Sequence, residues 1–119
     1  MYKYSFEKMQ AWQISRKLIV ETYRITANYP KDEKFVLVAQ IRRAAISIAS
    51  NLAEGSARST SKDRANFYQI AFSSLMEVLC QLIISSDLEF ITEKTLFGLR
   101  VQIDEIANKI NSLRKSQLR

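Results

Sequence analysis

An all-α fold, an up-down-up-down antiparallel four-helix bundle, is what this sequence predicts, and three observations carry the prediction. The 119 residues include only two glycines and one proline, whereas turn-rich β architectures need many more. Apolar residues recur at helical spacing in four successive segments. Each gap between segments is only a few residues long and carries its own stop or cap signal, which suits helices that double back on one another.

The first segment, Ser5 to Asn28, places Ala11, Ile14, Leu18 and Ile25 on one stripe, with Trp12, Ile19 and Tyr23 beside it. Asn28-Tyr29-Pro30 stops it, because a proline ring disfavours helix in the preceding residue. The second runs from about Asp32, where acidic residues suit a helix N-terminus, to Ala57. Phe35, Val38, Ile41, Ala45, Ile48 and Leu52 form its core stripe. Gly55 and the Ser/Thr cluster at 56 to 61 end it. Thr60 and Asp63 then make a variant capping box for a third helix reaching about Ser86. Its apolar positions are Phe67, Ile70, Ala71, Leu75, Val78, Leu79, Leu82 and Ile83. Thr92 or Thr95 caps the fourth, whose face is Leu96, Leu99, Ile103, Ile106, Ala107, Ile110 and Leu113. Gly98 lies inside it, at a cost of about 1 kcal/mol against alanine, and marks a candidate close contact. Four such helices make one domain, residues 1–119, roughly 35 Å long.

With 47% hydrophobic and 25% charged residues, the chain has globular rather than disordered composition. No secretory signal opens the sequence, and the most apolar stretch, Leu75 to Ile84, is interrupted by Glu77 and Gln81 and too short to span a bilayer. Cys80 is the single cysteine, which leaves no internal disulfide and no sign of an oxidising compartment. The expectation is a cytoplasmic protein with no membrane partner.

Function classes fall away quickly. There is no histidine, which removes the usual acid–base residue and the commonest metal ligand. No phosphate-cradling glycine loop or nucleophile elbow occurs. Cys80, among Leu79, Leu82 and Ile83, reads as a small buried hydrophobe. Neither an enzyme nor a cofactor is expected.

Charge, in contrast, is informative. The net charge is +6 and the pI about 9.6. Residues 1–17, 42–64 and 109–119 carry +3, +3 and +4, while 65–108 carry −4. Up-down topology brings those three basic blocks to one end of the bundle. Lys8, Arg58, Lys62, Arg64, Lys109, Arg114, Lys115 and Arg119 are the candidate phosphate contacts there, sequence-independent and salt-sensitive. The bland alternative is a solvated pole whose cations complement helix C-termini. No aromatic residues interleave with this end to form a base-stacking platform.

Gln40 to Arg58, QIRRAAISIASNLAEGSAR, is the most unusual segment. Small residues let a neighbouring helix approach closely, and Arg42, Ile46, Ala49 and Ala53 form a second stripe beside the core one. One bundle core can absorb only part of two adjacent stripes, so Ile46, Ala49 and Ala53, rimmed by Trp12 or Tyr23, are the expected subunit interface of a homo-oligomer. Glu77 interrupts an apolar part of the third helix, level with Gln40. A structural ion pair with Arg43 or Arg42 is the expected reason, since buried charges are normally paired.

The same segment resembles the four-helix-bundle proteins encoded in intervening sequences of bacterial 23S rRNA genes, also labelled S23 ribosomal proteins. Gln40, Arg42, Arg43, Ala44, Ser47, Ile48, Asn51, Ala53, Glu54 and Gly55 match their signature. Phe6, Trp12, Gln13, Tyr23, Pro30, Glu33, Arg58, Phe67, Ala71, Ser74, Leu75 and Glu77 extend the likeness along the chain. Ala49 and Ser73 depart from it, where relatives often carry proline and glycine. The resemblance implies a ring-like homopentamer without known catalytic activity. It is similar also to accessory bundles of diversity-generating retroelements, which bind nucleic acid and a reverse transcriptase. Two functions are therefore in view: an oligomer that meets RNA through its basic pole, or an adaptor oligomer that binds a protein partner.

Overall fold

The computed structural model describes residues 1–118, and the helices are α1 (Gln10–Thr26), α2 (Leu37–Ser56), α3 (Ser61–Asp87) and α4 (Glu93–Gln117). Each packs on its neighbours around a square, α1 on α2, α2 on α3, α3 on α4 and α4 on α1, and no diagonal pair of backbones comes as close among the described residues. The α2–α3 seam is the most extensive and the α4–α1 seam the thinnest. Leu18, Ile41, Ile48, Leu52, Leu75, Val78, Leu82, Ile103, Ile106 and Ile110 are fully enclosed along the bundle axis. Burying each such side chain contributes about 1.5–3 kcal/mol before chain entropy is subtracted. The longest dimension is 43 Å, beyond the expected length, because α3 runs for 27 residues at 1.5 Å rise.

The first two helices start later than their periodicity suggests. Residues Ser5–Lys8 form a separate 3₁₀ turn, where the Tyr4 backbone N–H donates to the Glu7 carboxylate at 2.8 Å. Extended backbone at Met9 then divides this turn from α1. A second 3₁₀ turn, Lys31–Glu33, follows Pro30, and Val36 is non-helical before α2 begins. Phe35, expected in the core, is consequently rotated off the buried stripe and stands 83% exposed. Hydrophobic spacing cannot separate a 3₁₀ turn from the first turn of the helix it precedes.

Thr60 and Thr92 both cap their helices, but the reciprocal Asp63 bond of the expected capping box is not formed. Thr60 Oγ1 accepts the Asp63 backbone N–H at 3.2 Å, and Thr92 Oγ1 accepts that of Thr95 at 3.1 Å. The α3–α4 turn is a Schellman motif, with Phe90 N–H on Ser85 O at 2.9 Å and Glu89 N–H on Ser86 O at 3.0 Å. Its left-handed residue is Glu89, φ 64°, rather than glycine.

Both glycines act differently from expectation. Gly55 lies within α2 instead of ending it, and a Cβ there would stand 2.7 Å from Tyr68 Cε1 and 2.9 Å from Phe67 Cβ. Gly55 thus permits the α2–α3 approach. Gly98 makes no close contact: a Cβ there would meet nothing within 4 Å. Ile70 and Cys80, both expected inside, are exposed. They fall on the outer side of α3, while Ala71, Leu75, Val78 and Leu82 fill the core. By length and a mean hydropathy of 1.5, α3 could cross a membrane, but Ala71, Leu75, Val78 and Leu82 of that stretch are buried in the bundle core.

Candidate nucleic-acid interface

The ends of α1, α3 and α4 that should share a pole do so, held by side chains of the basic residues themselves. Lys109 Nζ donates to Gln10 Oε1 at 2.8 Å, joining α4 to the start of α1. Arg64 Nε donates to Gln117 Oε1 at 2.7 Å, joining the start of α3 to the end of α4. Arg64 also donates to Arg58 O at 2.9 Å and Ser61 Oγ at 3.0 Å, leaving little of its guanidinium for an external phosphate. Arg58 lies over the Phe67 ring at 4.5 Å, and Arg114 donates to Asn111 Oδ1 at 3.1 Å.

Lys8, Lys62 and Lys115 are exposed and make no side-chain hydrogen bond or ion pair among the described residues. Arg119 lies outside the described residues. The only ion pair among the described residues, Arg24 with Glu21, involves none of these cations. Its hydrogen bond and charge raise the Arg24 pKa above the ordinary guanidinium value, but it is an exposed i,i+3 pair and adds little stability. Among the described residues, the positive charge of the pole is therefore not cancelled by direct ion pairing.

Two cations counted with this pole belong elsewhere. Arg42 and Arg43 sit in the second turn of α2, at the opposite end of the bundle. Arg42 Nε donates to Thr26 Oγ1 at 2.9 Å and its Nη2 to Tyr23 O at 3.2 Å, with the guanidinium 4.4 Å over the Tyr23 ring. It caps the C-terminal turn of α1, where orphan carbonyls and the helix dipole favour a cation. Arg43 is exposed.

The expected ion pair between Glu77 and Arg43 is not formed. Glu77 is exposed on the flank of α3 and accepts from Gln81 Nε2 at 3.1 Å. A carboxylate left in water suffers no desolvation that would demand a counter-charge. Gln81 also points its amide toward Gln40 Oε1 at 3.4 Å. Helical spacing puts Glu77 level with α2 but cannot say which side of the crossing it occupies.

Other motif residues secure the α2–α3 seam. The hydroxyls of Ser47 and Ser74 are 2.8 Å apart, and Asn51 Nδ2 donates to Ser47 O at 2.8 Å and to Ser47 Oγ at 3.0 Å. Gly55 supplies the close approach, while Gln40 and Glu54 face solvent. Of the expected interface residues, Ile46 is 43% exposed, and Ala49, Ala53 and Trp12 are half-buried. Trp12 packs edge-on against Phe6 at 4.9 Å. Burial pushes the Tyr29 phenol up, opposed by the nearby Ser85 hydroxyl. It also raises Tyr68, opposed by the charge of Arg64.

A second cationic surface, not expected from the sequence, lies apart from the basic pole. Tyr23, Lys34, Phe35, Val38, Ala39, Arg42, Arg43 and Ile46 line a groove beside the start of α2. Its signal in the sequence is the adjacent Lys34-Phe35 pair, hidden by assigning Phe35 to the core.

The family model described as 23S rRNA-intervening sequence protein matches residues 7–112. The structure is similar to that of a protein of unknown function from the S23 ribosomal protein family of Bacteroides thetaiotaomicron VPI-5482. The TM-score is 0.79 at 24% identity, over 88% of this chain and 95% of that one. At that identity the likeness shows the fold alone. No curated protein matches the sequence.

Proposed function

The chain belongs to the 23S rRNA-intervening sequence protein family, and from that premise we propose that it is a non-enzymatic, cytoplasmic homo-oligomer that associates with RNA through its basic pole. One observation carries the reading: three helix ends bring their cations together, and none of the candidate contacts is paired with a carboxylate among the described residues. Lys8, Lys62 and Lys115 offer ammonium groups free to reach phosphates. Arg58, Arg64, Lys109 and Arg114 hold the surface in shape and add to its potential. Repeating the pole around a ring of subunits multiplies that potential, which attracts a polyanion at long range and weakens with salt.

The oligomer itself is supported by Ile46, Ala49 and Ala53, an apolar strip of α2 that the bundle core leaves partly uncovered. The same strip favours the second reading, an adaptor that binds a protein such as a reverse transcriptase. A mobility-shift titration with structured RNA across a salt series separates the two. The RNA reading predicts binding at low salt with a steep negative dependence on salt concentration. Absence of binding at low salt would leave the adaptor reading.

A further inference from the structure

We propose that the groove between the end of α1 and the start of α2 is a second RNA site, holding a nucleotide of a single strand. Its base stacks on Phe35, and Lys31, Lys34 and Arg43 meet its phosphates. The inference rests on the RNA association proposed above and gives it a location away from the pole.

Phe35 is 83% exposed, with Lys34 Nζ 5.3 Å from the ring centroid. Tyr23, 37% exposed, forms the opposite side under the Arg42 guanidinium, and Ile46, which also lines the groove, marks its border with the subunit strip of α2. Ala39 is the smallest side chain lining the groove, whose other aliphatic residues are Val38 and Ile46. The groove is open to solvent and has a volume of about 460 Å³, within the roughly 300–1,000 Å³ typical of small-ligand sites. A smaller hollow continues from it, sharing Lys34, Val38 and Arg42 and adding Lys31.

The two hollows are lined by four cations and by no carboxylate. Asp32 and Glu33, in the adjoining 3₁₀ turn, are not among the lining residues. An exposed aromatic ring bordered by cations with no carboxylate partner suits a single-stranded polyanion, because stacking accepts any base and the cations follow the backbone. A protein partner seated here would have to present carboxylates beside an apolar group. Single-stranded RNA, with a flat base beside each phosphate, meets both demands at once.

The test uses the intact protein and a ten-nucleotide single-stranded RNA carrying one 2-aminopurine, followed by anisotropy and by quenching of the base fluorescence. Phe35→Ala should weaken binding by about tenfold or more, the scale of one base stack. It should also relieve the quenching and leave the salt slope unchanged. Phe35→Trp should preserve both signals. Lys34→Glu with Arg43→Glu should flatten the salt slope by about 0.7 unit for each phosphate no longer neutralised, the single-strand value. Helicity and oligomer mass are measured for every variant. Unchanged affinity and quenching in Phe35→Ala overturn the groove, and the RNA reading survives if charge reversal at the pole still weakens binding. A changed oligomer mass in Phe35→Ala overturns the groove by making it a contact between copies. No binding by the wild-type protein at low salt overturns both.

Discussion

Alanine in place of each glycine should change stability in opposite directions. At Gly55 the new Cβ lies 2.7 and 3.0 Å from two Tyr68 ring atoms and 2.9 Å from Phe67 Cβ. Tyr68 is 3% exposed and packed in the core cluster. Phe67 Cβ is fixed to the backbone of α3, so relief requires the α2–α3 seam to open. Overpacking of this kind costs about 1–3 kcal/mol, and the gain in helix propensity offsets at most about 1 kcal/mol of it, less in a last turn. Gly55→Ala should therefore lose about 1–2 kcal/mol. Gly98→Ala meets nothing within 4 Å and should gain about 0.5–1 kcal/mol from propensity alone. Urea denaturation at one protein concentration reads both, since assembly makes stability concentration-dependent. If Gly55→Ala is as stable as wild type, α2 and α3 do not approach as described, and the role assigned to this motif glycine fails.

Three further outcomes follow from side-chain placement. Arg42→Ala should cost about 1–2 kcal/mol, because it removes two hydrogen bonds to the last turn of α1 and a stacked cation; urea midpoints that match wild type would contradict the cap. Glu77→Ala should stay within about 0.5 kcal/mol, and its effect should simply add to that of Arg43→Ala in a double-mutant cycle. A coupling between them beyond the error of the cycle would restore the ion pair. Ala49→Glu should dissociate the oligomer while retaining helicity, since a charge in a desolvated contact is costly; light scattering that shows an unaltered mass, or a wild-type monomer at micromolar concentration, would contradict the assigned interface.

Most of the fold is legible in the sequence because its signals are periodic and local. The stripe of Ile41, Ala45, Ile48 and Leu52, and that of Leu99, Ile103, Ile106 and Ile110, repeat at helical spacing and face the core as expected. The threonine caps are readable because a hydroxyl three residues before an orphan N–H has few other uses. What escapes is decided by contacts between elements. Ser15, Thr22 and Thr26 are buried on α1, yet they look polar in sequence because their hydroxyls bond back to Ala11 O, Leu18 O and Thr22 O. Gly55 resembles a helix stop because proximity to Tyr68 is a tertiary fact. The basic pole is visible from topology and charge. Arg42 and Arg43 are misplaced when charge is summed over a segment, since only position along the helix axis separates the two ends of the bundle.

Charge reversal at Lys62 and Lys115 decides whether RNA is recognised through the basic pole. Both side chains are exposed and make no bond that the fold depends on, unlike Arg64, whose guanidinium joins α3 to α4. The double variant Lys62→Glu, Lys115→Glu should remain helical and assembled. Its affinity for structured RNA should fall, and its salt slope should flatten by about one unit for each phosphate no longer neutralised. An assembled variant that binds the same RNA with unchanged affinity and unchanged slope would contradict the account and leave the adaptor reading in its place.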